Sequence, residues 1–170
     1  MIQVTIRPLA AADRDAAVHV INIAASWYRE FLPPEELHGP EMTAAQWEDE
    51  ARRLAWYGGF VDGALVGVMG LERVRDAALL RHAYILPEHQ QHGIGRGLVE
   101  HLEQVTRREA AGGGVRRIIV GTYAQNYKAR GALERAGYRL SEDSAAVLRA
   151  YYAVPEDRLR ASVTYEKPAG

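Results

Sequence analysis

Apolar residues occupy every second position at Ile2, Val4 and Ile6, the spacing of a half-buried strand. From Asp13 the period lengthens, and Val20, Ile21, Ala24, Trp27, Tyr28 and Phe31 recur at helical spacing. The run LPPEELHGP interrupts that helix, and Thr43 followed by Gln46 predicts a capping box for a second one, with Trp47, Ala51 and Leu54 on one face. Phe60 and Val61, the dipeptide Asp62-Gly63 and then ALVGVMGLERV predict a hairpin, because Asp-Gly supplies the positive φ angles of a tight turn. LLRHAYIL, residues 79–86, predicts a further strand that stops at Pro87. Leu98, Val99, Leu102 and Val105 stripe a helix closed by three glycines at 112–114, and VRRIIVGT is the next strand. Asn126 can cap a helix running to about Ala136, with Gly137 as its stop. The remainder offers at least two more strands, ASVTYEK being the clearest.

This order predicts the α/β (α+β) class, with a mixed, mostly antiparallel central sheet flanked by helices on both faces. A chain of 170 residues, 48% hydrophobic and 25% charged, suits one core, so residues 1–170 are expected to form a single domain. The formal net charge of -1 lacks the basic excess that nucleic-acid binding requires. The chain has no cysteine, which excludes a disulfide framework, a thiol nucleophile and a thiolate metal site. No apolar run approaches membrane-spanning length, and MIQVTIRPLA lacks the make-up of a leader. A cytoplasmic location is expected, with neither a membrane nor a nucleic-acid partner and no metal.

The most informative stretch is PEHQQHGIGRGLVEHLEQ, residues 87–104. A strand ending at Pro87, a loop with Gly93, Gly95 and Gly97, and a helix from near Ile94 gather unpaired backbone N–H groups at the positive end of a helix dipole. A phosphate fits there, and a Cβ at 93 or 95 would stand in its way. The spacing excludes two familiar phosphate loops. A dinucleotide fingerprint needs glycine where Leu98 stands, and a P-loop needs a lysine after the glycines. What stands here is QxxGxG, from Gln90 to Gly95.

With its context, this motif resembles the GNAT superfamily of N-acetyltransferases. Ile85-Leu86-Pro87 matches the end of that family's fourth strand, and Gln90-Gln91-His92-Gly93-Ile94-Gly95 its [QR]xxGx[GA] loop. NYKARGALERAGY, with Asn126, Ala129, Gly137 and Tyr138, matches the later helix. The resemblance implies the acyl-CoA acyltransferase fold and acetyl-CoA as donor. It places the pyrophosphate on the backbone of Gln91, His92, Gly93, Ile94, Gly95 and Arg96. It also implies that the strand around Ile85 pairs with the pantetheine arm and that Asn126 contacts the cofactor. The implied acceptor is a primary amine of a small molecule or peptide, and the implied state is monomer or homodimer. A catalytically weak acyl-CoA sensor or interaction module of the same fold is the alternative.

Acetyl transfer requires a neutral amine, a stabilised oxyanion and protonation of the departing thiolate. Family members commonly carry a tyrosine seven residues after the motif asparagine, where this chain has Leu133. Either the thiolate leaves without a side-chain acid, tolerable for a thiol of pKa ~8.5, or Tyr123, Tyr127, Tyr151 or Tyr152 substitutes. For the base, His82 is the attractive choice because its ordinary pKa is near neutrality, although a histidine in an apolar strand is more often a hydrogen-bonded core residue. Glu72 is the second choice, with a solvent-facing carboxylate as its other reading, and water chains could serve without either. Strict alternation would set Leu80, His82, Tyr84 and Leu86 on one side of the strand. Between Glu30 and Glu50 lie Glu30, Glu35, Glu36, Glu41, Glu48, Asp49 and Glu50 with no Lys or Arg, a rim that would favour a cationic acceptor.

Overall fold

The computed structural model describes residues 3–37, 39–152, 154 and 156–170; Ile2 and the side chain of Glu36 lie outside the described residues. The expected alternation produces β1, Val4–Pro8, and the longer period produces α1, Arg14–Ala24, which tightens into a 3-10 segment over Ala25–Glu30. The capping box forms: Gln46 N donates to Thr43 Oγ1 at 3.1 Å, and Thr43 N donates to Gln46 Oε1 at 2.8 Å. It opens α2, Ala44–Glu50. Here the sequence expectation is corrected. The helix stops at Glu50, and Leu54 instead starts β2, Leu54–Val61, where Leu54 and Trp56 alternate inward. Their spacing from Trp47 and Ala51 mimics a helical face only by coincidence.

The hairpin turns at Asp62 and Gly63, both at positive φ, into β3, Ala64–Val74. β4, Ala77–Ile85, follows, then α3, Ile94–Ala110, β5, Arg117–Tyr123, and α4, Tyr127–Arg135. Asn126 caps α4 through its side-chain oxygen, which accepts from Ala129 N at 3.2 Å. At the other end Gly137 N and Tyr138 N donate to Glu134 O and Leu133 O, so the A-G-Y signature is a Schellman cap. β6, Arg139–Leu140, α5, Ser144–Tyr151, α6, Glu156–Ala161, and β7, Ser162–Pro168, complete the chain. The last two helices have no counterpart in the sequence reading, although Asp143 caps α5 by accepting from Ala146 N at 3.0 Å.

The strands form a mixed seven-stranded sheet in the order β1-β2-β3-β4-β5-β7-β6. β1 and β2 pair antiparallel from Val4↔Val61 to Pro8↔Tyr57, and β2 meets β3 antiparallel from Leu54↔Glu72 to Val61↔Ala64. β4 and β5 pair in parallel over Ala77–Leu80 and Arg117–Val120, and β7 lies antiparallel to both β5 and β6.

Contacts group the chain into two units, Met1–Glu72 with Arg81–Leu102, and Arg73–Leu80 with Glu103–Gly170, the divisions falling inside β3, β4 and α3. The first unit buries Ala17, Val20, Ile21 and Ala24 of α1 with Trp47, Trp56, Val68 and Tyr84. In it Ile94 and Leu98 of α3 sit close over β2 and β3. A Cβ on Gly67 would come within 2.6 Å of Ile85 and 3.3 Å of Ile94, so glycine there admits the head of the helix to the sheet. In the second unit Ala77, Leu79 and Ile119 form an apolar cluster with Val74, Val147, Tyr151 and Tyr152 packed on it. Among the described residues, no helix is long and apolar enough to cross a membrane.

Candidate active site

The glycine-rich loop takes its shape from two left-handed residues, Gln91 at φ 65° and Gly93 at φ 82°. Gly93 suits that conformation, and a Cβ there would meet nothing within 4 Å. Gly93 O accepts the first helical bond of α3, from Gly97 N at 2.9 Å, so the N–H groups before Gly97 precede the intrahelical ladder. Ile94 turns its side chain into the core at 1% exposure and has only its backbone to offer a ligand. Gly95 is informative for a different reason. A Cβ there would reach Ile85 at no closer than 3.7 Å, an ordinary contact, so packing within the chain does not demand glycine. The bareness of that position therefore fits a partner approaching from outside. His92 is exposed, and Arg96 lies along the surface of α3, paired with Glu100 at 2.9 Å.

In the sequence Gln90 is only the first letter of the motif. In the structure its Nε2 donates to Ile85 O at 3.2 Å, tying the glycine-rich loop to the end of β4. Asn126, also expected at the donor, belongs to the second unit, where its amide oxygen caps α4.

The strand expected to carry the base departs from simple alternation at the base itself. His82 has φ 56°, a left-handed residue inside β4. Four consecutive residues before it, Ala77 to Leu80, are all buried, while Arg81 and His82 are half-buried, so the two-sided assignment does not hold across this point. A bulky residue holds such a conformation only where its surroundings impose it. Those surroundings are specific. The imidazole lies against Trp56, ring centroids 5.4 Å apart, and Trp56 stacks on Trp47 at 5.4 Å and 9°. His82 Nε2 is buried without a hydrogen-bond partner and faces Glu50 Oε1 at 3.6 Å, an ion-pair distance just beyond hydrogen-bond length.

Glu50 ends α2, where it also meets Arg53 at 2.9 Å and Arg81 at 3.8 Å. Its carboxyl is lowered from 4.5 to about 2, first by the imidazole facing it and then, against the opposing effect of burial, by Arg81 and Arg53. Glu72, the second candidate base, accepts from Arg81 at 2.8 Å and lies 3.9 Å from Arg53. The fold thus brings His82 and Glu72 into one charged cluster with Glu50, Arg53 and Arg81. Of these three, sequence reading places only Glu50, as one acid among seven, and local spacing carries no signal that links α2 to β4.

Beside the cluster, Tyr84 OH is buried, donating to Glu41 Oε1 at 3.2 Å and lying 3.0 Å from Tyr28 OH. Desolvation, then the neighbouring Tyr28 and Glu41, pushes this phenol well above its usual range, so it serves as a fixed donor.

The four candidate tyrosines all belong to the second unit. Tyr123 ends β5 opposite Ser162, and Tyr127 opens α4 with 68% of its surface exposed. Tyr151 is engaged structurally, its OH donating to Asp76 at 2.5 Å and accepting from Arg117 at 2.7 Å. Tyr152 packs on the Ala77, Leu79 and Ile119 cluster beside Gly121. Leu133, at the position of the family tyrosine, is buried on α4 at 8% exposure.

A family model for the acetyltransferase (GNAT) family matches residues 21–138. Among solved structures, the chain is similar to the PaiA N-acetyltransferase of Thermoplasma acidophilum in complex with coenzyme A, with 17% identity, TM-score 0.73, and 98% of this chain and 99% of that one covered. It is similar to the ribosomal-protein-S18-alanine N-acetyltransferase of Escherichia coli, with 19% identity, TM-score 0.71, and 99% and 95% covered. It also resembles an acetyltransferase of Thermus thermophilus, with 23% identity, TM-score 0.67 and 99% of each chain covered. At these identities the likeness is one of fold. No curated protein matches the chain.

Proposed function

The chain belongs to the GNAT acetyltransferase family, and from that premise we propose that it transfers the acetyl group of acetyl-CoA directly onto a primary amine of a small molecule or peptide. The observation that carries this reading is the loop from Gln91 to Arg96, whose Gly93 and Gly95 leave the backbone bare at the head of α3. A pyrophosphate would take the N–H groups there, and Ile85, anchored by Gln90, would align the pantetheine arm as an added strand does.

In the transfer, the amine lone pair attacks the thioester carbonyl, a C–N bond forms and the C–S bond breaks. The ammonium proton goes to a base, and the thiolate gains a proton from a tyrosine or from water. His82 is the proposed base, supported by its backbone strain and its place in the charged cluster. Glu72 is the weaker choice, because Arg81 already occupies its carboxylate. The acceptor is proposed to be cationic on narrower grounds than the acidic stretch suggests. Glu48 pairs with Arg14, Asp49 with Arg52 and Arg53, and Glu50 with Arg53 and Arg81, leaving, among the described side chains, Glu30, Glu35 and the phenol-bonded Glu41 to act on a cation.

Calorimetric titration of acetyl-CoA into the wild type and Gly95→Asp tests the donor site. The substitution places bulk and negative charge where the pyrophosphate would sit, at a position where an added Cβ makes only ordinary contact with the chain. The expected result is loss of binding by a variant that melts close to the wild type. Equal affinity in the two proteins would remove the loop from the donor site.

A further inference from the structure

One acid in the cluster has no place in the chemistry above. We propose that Glu50 is a positioning residue for His82, holding imidazole Nε2 so that Nδ1 is left to take the proton of the acceptor amine; this rests on the acetyl-transfer reading. Three observations converge on the pair. His82 is held at a backbone angle that a histidine adopts only under constraint, its Nε2 is buried with no hydrogen-bond partner, and the atom facing it is a carboxylate oxygen at 3.6 Å.

The elements around the ring restrict what it can do. β2 supplies Trp56 against its face, α2 supplies Glu50, and Arg53 follows α2. β3 supplies Glu72, and Arg81 precedes His82 on its own strand. Arg53 and Arg81 lie 2.9 and 3.8 Å from Oε2, the other oxygen of the Glu50 carboxylate, and hold Oε1 toward the imidazole. A small closure of the 3.6 Å gap makes an Nε2–H donor to Glu50, which sets the tautomer with the lone pair on Nδ1. When Nδ1 accepts a proton from the amine, the positive charge that develops on the ring is met by Glu50.

Two readouts on the full chain test this, one of them independent of turnover. In the free protein, ¹⁵N imidazole NMR is expected to show His82 as the Nε2–H tautomer. Glu50→Gln should weaken that preference, and Glu50→Asp should retain part of it. In kinetics at saturating acetyl-CoA, with the primary amine of highest turnover in a panel, Glu50→Gln should lower kcat about 10-fold. His82→Gln should lower it about 100-fold. In Glu50→Gln the KM for acetyl-CoA should be unchanged, and Glu50→Asp should recover part of the rate. An unaltered His82 spectrum in Glu50→Gln, or wild-type kcat in that variant, overturns the proposal while leaving acetyl transfer intact. A wild type that acetylates no amine overturns the transfer reading, and this proposal falls with it.

Discussion

Glu50 meets three cationic or ionisable partners from a single helix end, and that makes its ionisation a stability property as well as a chemical one. Its folded value of about 2 lies below the ordinary 4.5, so the unfolded chain takes up this proton first as pH falls. The contribution is therefore complete above the ordinary value and is lost as pH drops through about 2. Urea denaturation across that acid range should show a shallower fall in stability for Glu50→Gln than for the wild type, and parallel curves would mean that the ion pairs contribute little. At this scale the glycine-rich loop is legible in the sequence because Gln90, Gly93 and Gly95 act through local backbone geometry. Glu50 is not legible, because its meaning depends on β4 being laid beside the end of α2. The strain at His82 is equally hidden, since nothing in LLRHAYIL announces a left-handed residue.

Among the elements, α4 bears most directly on the missing tyrosine. Its cap at Asn126 and its Schellman stop at Gly137 are both readable as local signals, and both form. What the sequence does not convey is that Leu133 is buried there, so the position is first a packing position. Leu133→Tyr must fit a larger, polar side chain into filled space and should cost about 1–3 kcal/mol. Chemical denaturation measures that loss, and kcat should not rise. A stable variant with a higher kcat would mean that a tyrosine here can reach the sulfur after all. The second helix is legible at its start, where Thr43 and Gln46 form the box, and misleading at its end, where Leu54 obeys the sheet. α5 escapes the sequence reading although Asp143 carries a local cap signal ahead of it.

For the whole molecule, a net charge of -1 gives no strong field, so any preference for a cationic acceptor must come from local carboxylates. Arginines from outside the acidic stretch pair with Glu48, Asp49 and Glu50; Arg52 and Arg53 do so at local i,i+3 and i,i+4 spacing, whereas the pairing of Arg14 with Glu48 is not visible along the sequence. The kcat/KM of a cationic amine should still fall with added salt, more than that of a neutral amine, as screening weakens Glu30, Glu35 and Glu41. Equal salt dependence for the two would take those side chains out of acceptor selection. The order of strands and helices is legible throughout most of the chain because caps, turns and periodicity are local, and it leads to the mixed seven-stranded sheet of the acetyltransferase family. The central claim is acetyl transfer to an amine, and its most direct test is release of free thiol from acetyl-CoA across a panel of primary amines, with the acetylated product quantified by mass spectrometry. Amine-dependent release matched mole for mole by N-acetylated product is the expected result. Acetyl-CoA that binds and stabilises the chain, yet gives no amine-dependent thiol with any acceptor, would contradict it and leave a binding module of the same fold.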